Sequence, residues 1–206
     1  MRPPVRLSSQ ERRAAILETA VQLFSERGFR GVTTRELAQA LGVSEPILYQ
    51  HFPSKKDLYA AIIESAMDSS YYEALNGLKA VAETQNDEEF FRHVANAMML
   101  WFETRPHHLR LKLFSALEGH ELMDQFNDRA GRPFIEVIVG YIQRRVQEGA
   151  FAEANPIAAT MAFCGMVNHY CMSNILFRSQ CFVVDRETMM NQIIQIFLNG
   201  IRNKHS

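Results

Sequence analysis

The chain has 206 residues, 47% of them hydrophobic and 22% charged, with a formal net charge of -1 at pH 7. That length and apolar content build a core without staples, as one domain or as a small domain joined to a larger one. Three cysteines with no secretory leader ahead of them argue against a disulfide-built extracellular fold, and no apolar run reaches the roughly 18 residues of a membrane span, so a soluble cytoplasmic protein is expected.

The near-neutral total conceals an asymmetry. Residues 1–56 carry nine Arg or Lys against five Asp or Glu, whereas residues 57–206 carry thirteen against eighteen. A small basic head on a mildly acidic body suits a module that meets an anionic partner through one end.

In chain order, Ser8-Ser9-Gln10-Glu11 has the form of a capping box, and Ile16, Leu17, Ala20, Leu23 and Phe24 then recur at helical spacing up to Gly28. Thr33-Thr34-Arg35-Glu36 repeats the capping pattern, and Leu37, Ala38 and Leu41 form a short helix that ends at Gly42. Ser44 opens a third helix with Pro46 in its first turn, Leu48 and Phe52 facing inward, and Pro53 as its stop. Two short helices about a glycine-containing turn, braced by a longer first helix, make a helix-turn-helix. Neither is stable alone, because isolated helices under about 12 residues are marginal in water.

With Leu37, Leu41, Leu48 and Phe52 turned inward, Glu45, Pro46, Ile47, Tyr49, Gln50 and His51 form the outward row available to a major groove. Gln50 pairs with adenine and Ile47 meets a thymine methyl, with Glu45 and Pro46 at the tip. Tyr49 and His51 reach phosphates, joined by Thr33, Thr34 and Arg35. Lys55 and Lys56 open the next helix, where cations oppose the macrodipole, and a docked DNA phosphate would compensate Lys55.

The runs RAAILETAVQLFSERGF (13–29) and TTRELAQALGVSEPILYQHFPSKKDLYAAI (33–62) resemble the amino-terminal domain of the TetR family of transcriptional regulators. GVS precedes the recognition helix, LYQHF lies within it and PSKKDL follows it. The resemblance implies that Thr33, Tyr49, His51 and Lys55 contact phosphates and that the exposed side of residues 44–50 reads bases. Gln50 stands where many members carry tyrosine or arginine before the histidine, and Glu45, Pro46 and Ile47 are not the most frequent small residues, which leaves the operator sequence open.

The body reads as helices throughout: 57–74, continuous with the head, then 87–103, 107–117, 120–148, 154–177 and 186–201. The expected fold is all-α, with about nine helices: a DNA-binding domain over 1–56 and a helical effector-binding and dimerisation domain over 57–206. The last two helices carry more apolar surface than one solvent-facing pair needs. Ala158, Ala162, Gly165 and His169 on the first, with Met189, Ile193, Ile196 and Phe197 on the second, are candidates for a four-helix interface with a second copy; burial against the chain's own helices is the competing reading. Met98, Trp101, Phe102, Phe114, Met166 and Tyr170 are candidates for a pocket for a small hydrophobic effector, against plain core packing.

His107, His108, His120, His169 and the three cysteines fall into no metal-ligand spacing, and no cofactor loop or catalytic constellation is legible. A homodimeric repressor on a palindromic operator, released by a hydrophobic molecule, is the leading expectation. An acyl-thioester or a protein partner is the alternative within that class. A helical enzyme or interaction protein using the head as scaffold is the alternative outside it.

Overall fold

The computed structural model describes residues 8–118, 122–178 and 184–203, the side chains of residues 122 and 123 excepted. Helix α1 (Ser9–Arg27) opens on a reciprocal cap: Glu11 N donates to Ser8 Oγ at 3.2 Å and Ser8 N donates to Glu11 Oε2 at 2.7 Å. It ends at Gly28, whose φ of +73° excludes an unstrained side chain and where a Cβ would meet Glu118 Oε1 at 2.3 Å. Thr33 and Glu36 repeat the reciprocal cap on α2 (Thr34–Ala40). Gly42, at φ +65°, turns the chain into α3 (Glu45–His51). Ser44 occupies the cap position of α3, yet its hydroxyl makes no capping bond. Pro46 supplies no amide hydrogen in that first turn, which removes one of the donors a cap would serve. Ser54 caps α4 (Lys55–Ser65), accepting from Asp57 N at 3.1 Å.

The helix expected over 57–74 is two helices. Apolar periodicity runs on to Ala66 and resumes at Tyr71, so the pattern alone reads through the gap. The bonds Ala66 N to Ile63 O (3.2 Å) and Met67 N to Glu64 O (3.0 Å) tighten the last turn of α4 and end it before α5 (Ser69–Ala82). After α6 (Asp87–Thr104) and α7 (Pro106–Leu117), the helix expected over 120–148 is unbroken across its described part, but a π-helical turn (Asn127–Gly131) marks off α8 (Leu122–Phe126) from α9 (Arg132–Gln147). Pro133, in the first turn of α9, has no N–H to donate back into that turn. Asn155 caps α10 (Pro156–Cys171), which runs into a second π-helical turn (Met172–Leu176), and Asp185 caps α11 (Arg186–Ile201). Among the described residues there are eleven α-helical segments where about nine were expected, the additions being the break after Ala66 and the π-helical turn at Asn127–Gly131.

The chain divides into two compact units, Met1–Asp68 with His107–Asn127, and Ser69–Pro106 with Asp128–Ser206. The first is built on Ile16, Ala20 and Phe24 of α1, Leu37 of α2, Leu48 and Phe52 at α3, and Leu58, Tyr59 and Ile62 of α4, closed by Leu111 of α7. Tyr59 donates to the Leu111 carbonyl at 3.2 Å and lies 2.6 Å from Ser115 Oγ, so the buried hydroxyl is satisfied. The second unit centres on Phe91, whose ring lies 5.2 Å from Phe90 and 4.7 Å from both Phe163 and Phe197. Beside it a buried Asp87 carboxylate accepts from Tyr141 Oη at 2.7 Å and Arg145 Nε at 2.9 Å. No helix among the described residues is long and apolar enough to cross a membrane.

Candidate nucleic-acid interface

Burial sorts the faces of α3. Leu48 and Phe52 are 2% exposed, while Pro46, Tyr49 and Gln50 are exposed and Glu45, Ile47 and His51 are half-buried. The helix is held in place from α1. Arg13 Nη1 donates to the His51 carbonyl at 2.9 Å, and its guanidinium lies 4.2 Å from the centroid of the Phe52 ring. Sequence reading missed Arg13 because its partners are 38 and 39 positions away; the one local signal is its place beside the inward stripe of α1.

The start of α2 is tied back in the same way. Arg27 pairs with Glu36 Oε1 at 2.6 Å and donates through Nε to the Gly31 carbonyl at 3.0 Å. Glu36 Oε2 accepts from both Thr33 N and Thr33 Oγ1 at 2.7 Å. The bond from Arg27, then those from Thr33, hold the Glu36 carboxyl down at about 2. Thr34 Oγ1 donates to Glu45 Oε2 at 2.9 Å, and Tyr49 Oη donates to Thr34 Oγ1 at 3.3 Å. Both threonine hydroxyl protons therefore point into the head. Among the described residues, the side chains of Arg35, Gln50 and His51 enter no hydrogen bond or ion pair and are left for an external partner.

Lys55 is placed otherwise than the phosphate reading expects. Its ammonium donates to the Phe29 carbonyl and lies 4.1 Å from the Phe29 ring centroid and 5.6 Å from that of Phe24. Burial lowers its pKa, partly offset by Glu118 and Glu36. The anionic compensation sought for a cation at the start of α4 is thus met inside the head, by a carbonyl, two ring faces and nearby carboxylates.

The body candidates are distributed as follows. Met98, Trp101 and Phe102 lie on α6 and Met166 and Tyr170 on α10, two helices that pack together in the second unit; Phe102 is buried and the others half-buried. Phe114 belongs to the first unit, beneath Gly28. On α10, Ala158, Ala162, Gly165 and His169 are all exposed, with Ile157 and Met161 beside them at 59% and 68%. On α11, Ile196 is 62% exposed and Met189 half-buried, but Ile193 and Phe197 turn inward, Phe197 onto Phe91 and Phe163. Those two side chains belong to the unit's own core because α11 covers α6 with that face. Burial raises the Cys164 thiol to about 11 and Cys171 to about 12, so both stay protonated at neutral pH. Cys181 and His120 lie outside the described residues. No cluster of three or more His, Cys, Asp or Glu among the described residues is placed to hold a metal ion.

Comparison with known proteins adds four findings. Residues 16–62 match the family described as bacterial regulatory proteins, tetR family. The chain is 30% identical over 184 residues to the nucleoid occlusion factor SlmA of Salmonella typhi, covering 83% of this chain and 88% of that protein. It is 32% identical over 110 residues to the HTH-type transcriptional activator FasR of Mycolicibacterium smegmatis, a match that spans about half the length of either chain, 48% of each. The crystal structure of AibR in complex with isovaleryl coenzyme A and operator DNA superposes with a TM-score of 0.69 at 21% identity, over 90% of this chain and 97% of that one.

Proposed function

Because the chain belongs to the TetR family of bacterial regulatory proteins, we propose that it is a homodimeric transcriptional repressor that binds a palindromic operator and is released by a small hydrophobic molecule. As a member of that family it is a DNA-binding regulator and not an enzyme. The observation that carries the operator reading is the outward row of α3, where Leu48 and Phe52 are buried while Pro46 and Gln50 stay exposed and Gln50 has no partner inside the head.

In this reading residues 1–56 bind DNA and residues 57–206 bind the effector and the second copy, in the cytoplasm. Ile47 and Gln50 read base edges, with Glu45 and Pro46 at the tip, while Arg35 and His51 reach phosphates beside Thr33. Tyr49 and Thr34, the other phosphate candidates, are joined to each other at 3.3 Å inside the head, and the Thr34 proton is committed to Glu45. Lys55 braces the head from within. The exposed row Ile157, Ala158, Met161, Ala162, Gly165 and Ile196 meets its counterpart in a four-helix interface. The effector lies within the second unit, against Met98, Trp101, Phe102, Met166 and Tyr170; Phe114 belongs to the first unit and is left out of that site. An apolar occupant that prefers one spacing of the two heads shifts DNA affinity by that preference.

The extended match to a nucleoid occlusion factor supports a second reading, in which the DNA-bound dimer acts in nucleoid occlusion and not on promoters; a protein partner is the alternative effector within the regulator class. Genome-wide occupancy in cells separates the two. A few sharp sites at promoters, with transcripts that rise when the gene is deleted, support the repressor. Many dispersed sites with unchanged transcripts overturn it in favour of the second reading.

A further inference from the structure

Glu45 is an anion at the leading edge of a surface meant for a polyanion. It is half-buried, and its one hydrogen bond is the 2.9 Å contact from Thr34 Oγ1 to Oε2. No cation pairs with it among the described residues. Tyr49, one turn further along α3, donates to the same Thr34 oxygen at 3.3 Å and so fixes the direction in which the Thr34 proton points. The three side chains form a relay, Tyr49 to Thr34 to Glu45, that anchors one carboxylate oxygen and leaves the other, Oε1, with no partner in the head.

A carboxylate accepts hydrogen bonds and donates none. Brought against DNA it is repelled by phosphates and by the acceptor edges of guanine and thymine. Only two major-groove groups donate, cytosine N4 and adenine N6. Adenine sets the acceptor N7 beside its amino group, which opposes a carboxylate. Cytosine sets an apolar C5–H there. With Oε2 already anchored, Oε1 needs a single donor, which is what cytosine offers.

Resting on the operator-binding reading above, we propose that Glu45, positioned by Thr34 and Tyr49, reads a cytosine in each half-site and makes that base pair the most strongly specified one at the start of α3. Thr34 is then a positioning residue and not a phosphate contact. Gln50, one turn beyond Pro46, remains free for a neighbouring adenine.

The test is enrichment of random duplex DNA by the full-length protein and by the variants Glu45→Gln, Glu45→Ala and Thr34→Val, followed by binding to the enriched duplex across a salt series. The wild type is expected to hold one G·C pair per half-site, with a preference over other pairs of roughly 5- to 150-fold, the range usual for one mismatched base pair. Glu45→Ala loses that preference while neighbouring positions persist. Glu45→Gln admits other bases there, because an amide also donates. Thr34→Val weakens the same preference with an unchanged salt slope. The proposal is overturned if the Glu45 variants keep the wild-type preference at every position. It is equally overturned if Thr34→Val binds all sequences more weakly with a slope shallower by about 0.9, as loss of a phosphate contact requires. Failure of the wild type to enrich any sequence would instead overturn the operator-binding reading and the proposal with it.

Discussion

Replacing Lys55 by alanine separates a brace from a phosphate contact. In the DNA-free chain the ammonium donates to the Phe29 carbonyl and faces the Phe29 ring at 4.1 Å. A hydrogen bond from a charged donor is worth about 1.5–3 kcal/mol and a cation–π contact at a part-exposed site about 0.5–1 kcal/mol. The desolvation that lowers the pKa of this lysine works against both. We expect a net loss of about 2 kcal/mol in the first unit, for Lys55→Met as for Lys55→Ala, because both remove the ammonium that makes the two contacts. The single tryptophan, Trp101, lies in the second unit, so its fluorescence follows the wrong region. Hydrogen exchange at the amides of Gly28, bonded to the Phe24 carbonyl, and Arg30, bonded to Glu118 Oε1, on either side of the Phe29 carbonyl that Lys55 braces, is the suitable assay, with protection expected to fall by roughly 30-fold for 2 kcal/mol. Operator binding by the folded protein should keep its salt slope. Unchanged protection together with a slope shallower by about 0.9 would refute the brace and restore the phosphate contact.

Three further outcomes follow from the same contacts. Met161→Glu and Ile196→Glu, each on an exposed apolar position, should convert the dimer to monomer in sedimentation without unfolding it; an unchanged mass would remove α10 and α11 from the interface. The Glu36 carboxyl titrates at about 2 when folded against 4.5 as its ordinary value, so acid protonates the unfolded chain first. Its contribution is complete above about pH 4.5 and is lost as pH falls through about 2; Glu36→Gln should therefore show a shallower decline in stability over that window, and an identical decline would contradict the assignment. Asp87→Ala strips the partner from a half-buried Arg145 and from the Tyr141 hydroxyl and should cost about 3 kcal/mol, measured by urea unfolding followed at Trp101; a cost below about 1 kcal/mol would show that Glu148 alone suffices for Arg145.

What the sequence disclosed was local. The boundaries of α1, α2 and α3 are set by side chains within four positions of the helix end, by Gly28 and Gly42, and by the inward period of Leu37, Leu48 and Phe52. All of these are short-range. The departures have the same cause in reverse: apolar periodicity continues across the gap after Ala66, and a π-helical turn just before Pro133 leaves no mark in the apolar spacing. Direction was the harder matter. Lys55 turns to a carbonyl 26 residues earlier, a choice no local pattern records. Ile193 and Phe197 have the apolar character of an interface and belong to the core, because a hydrophobic face does not say whether its cover comes from the same chain. Arg13, which holds the end of α3, and the Tyr49–Thr34–Glu45 relay likewise depend on tertiary neighbours.

The central claim, that the outward face of α3 reads a symmetric DNA site, is tested most directly by enriching random duplexes with the purified protein at low and moderate salt and weighing the complex that forms. We predict a short inverted repeat with half-sites about one helical turn apart or somewhat more, bound by one or two dimers. Absence of enrichment at either salt, from protein shown by denaturing mass spectrometry to carry no bound small molecule, would contradict it.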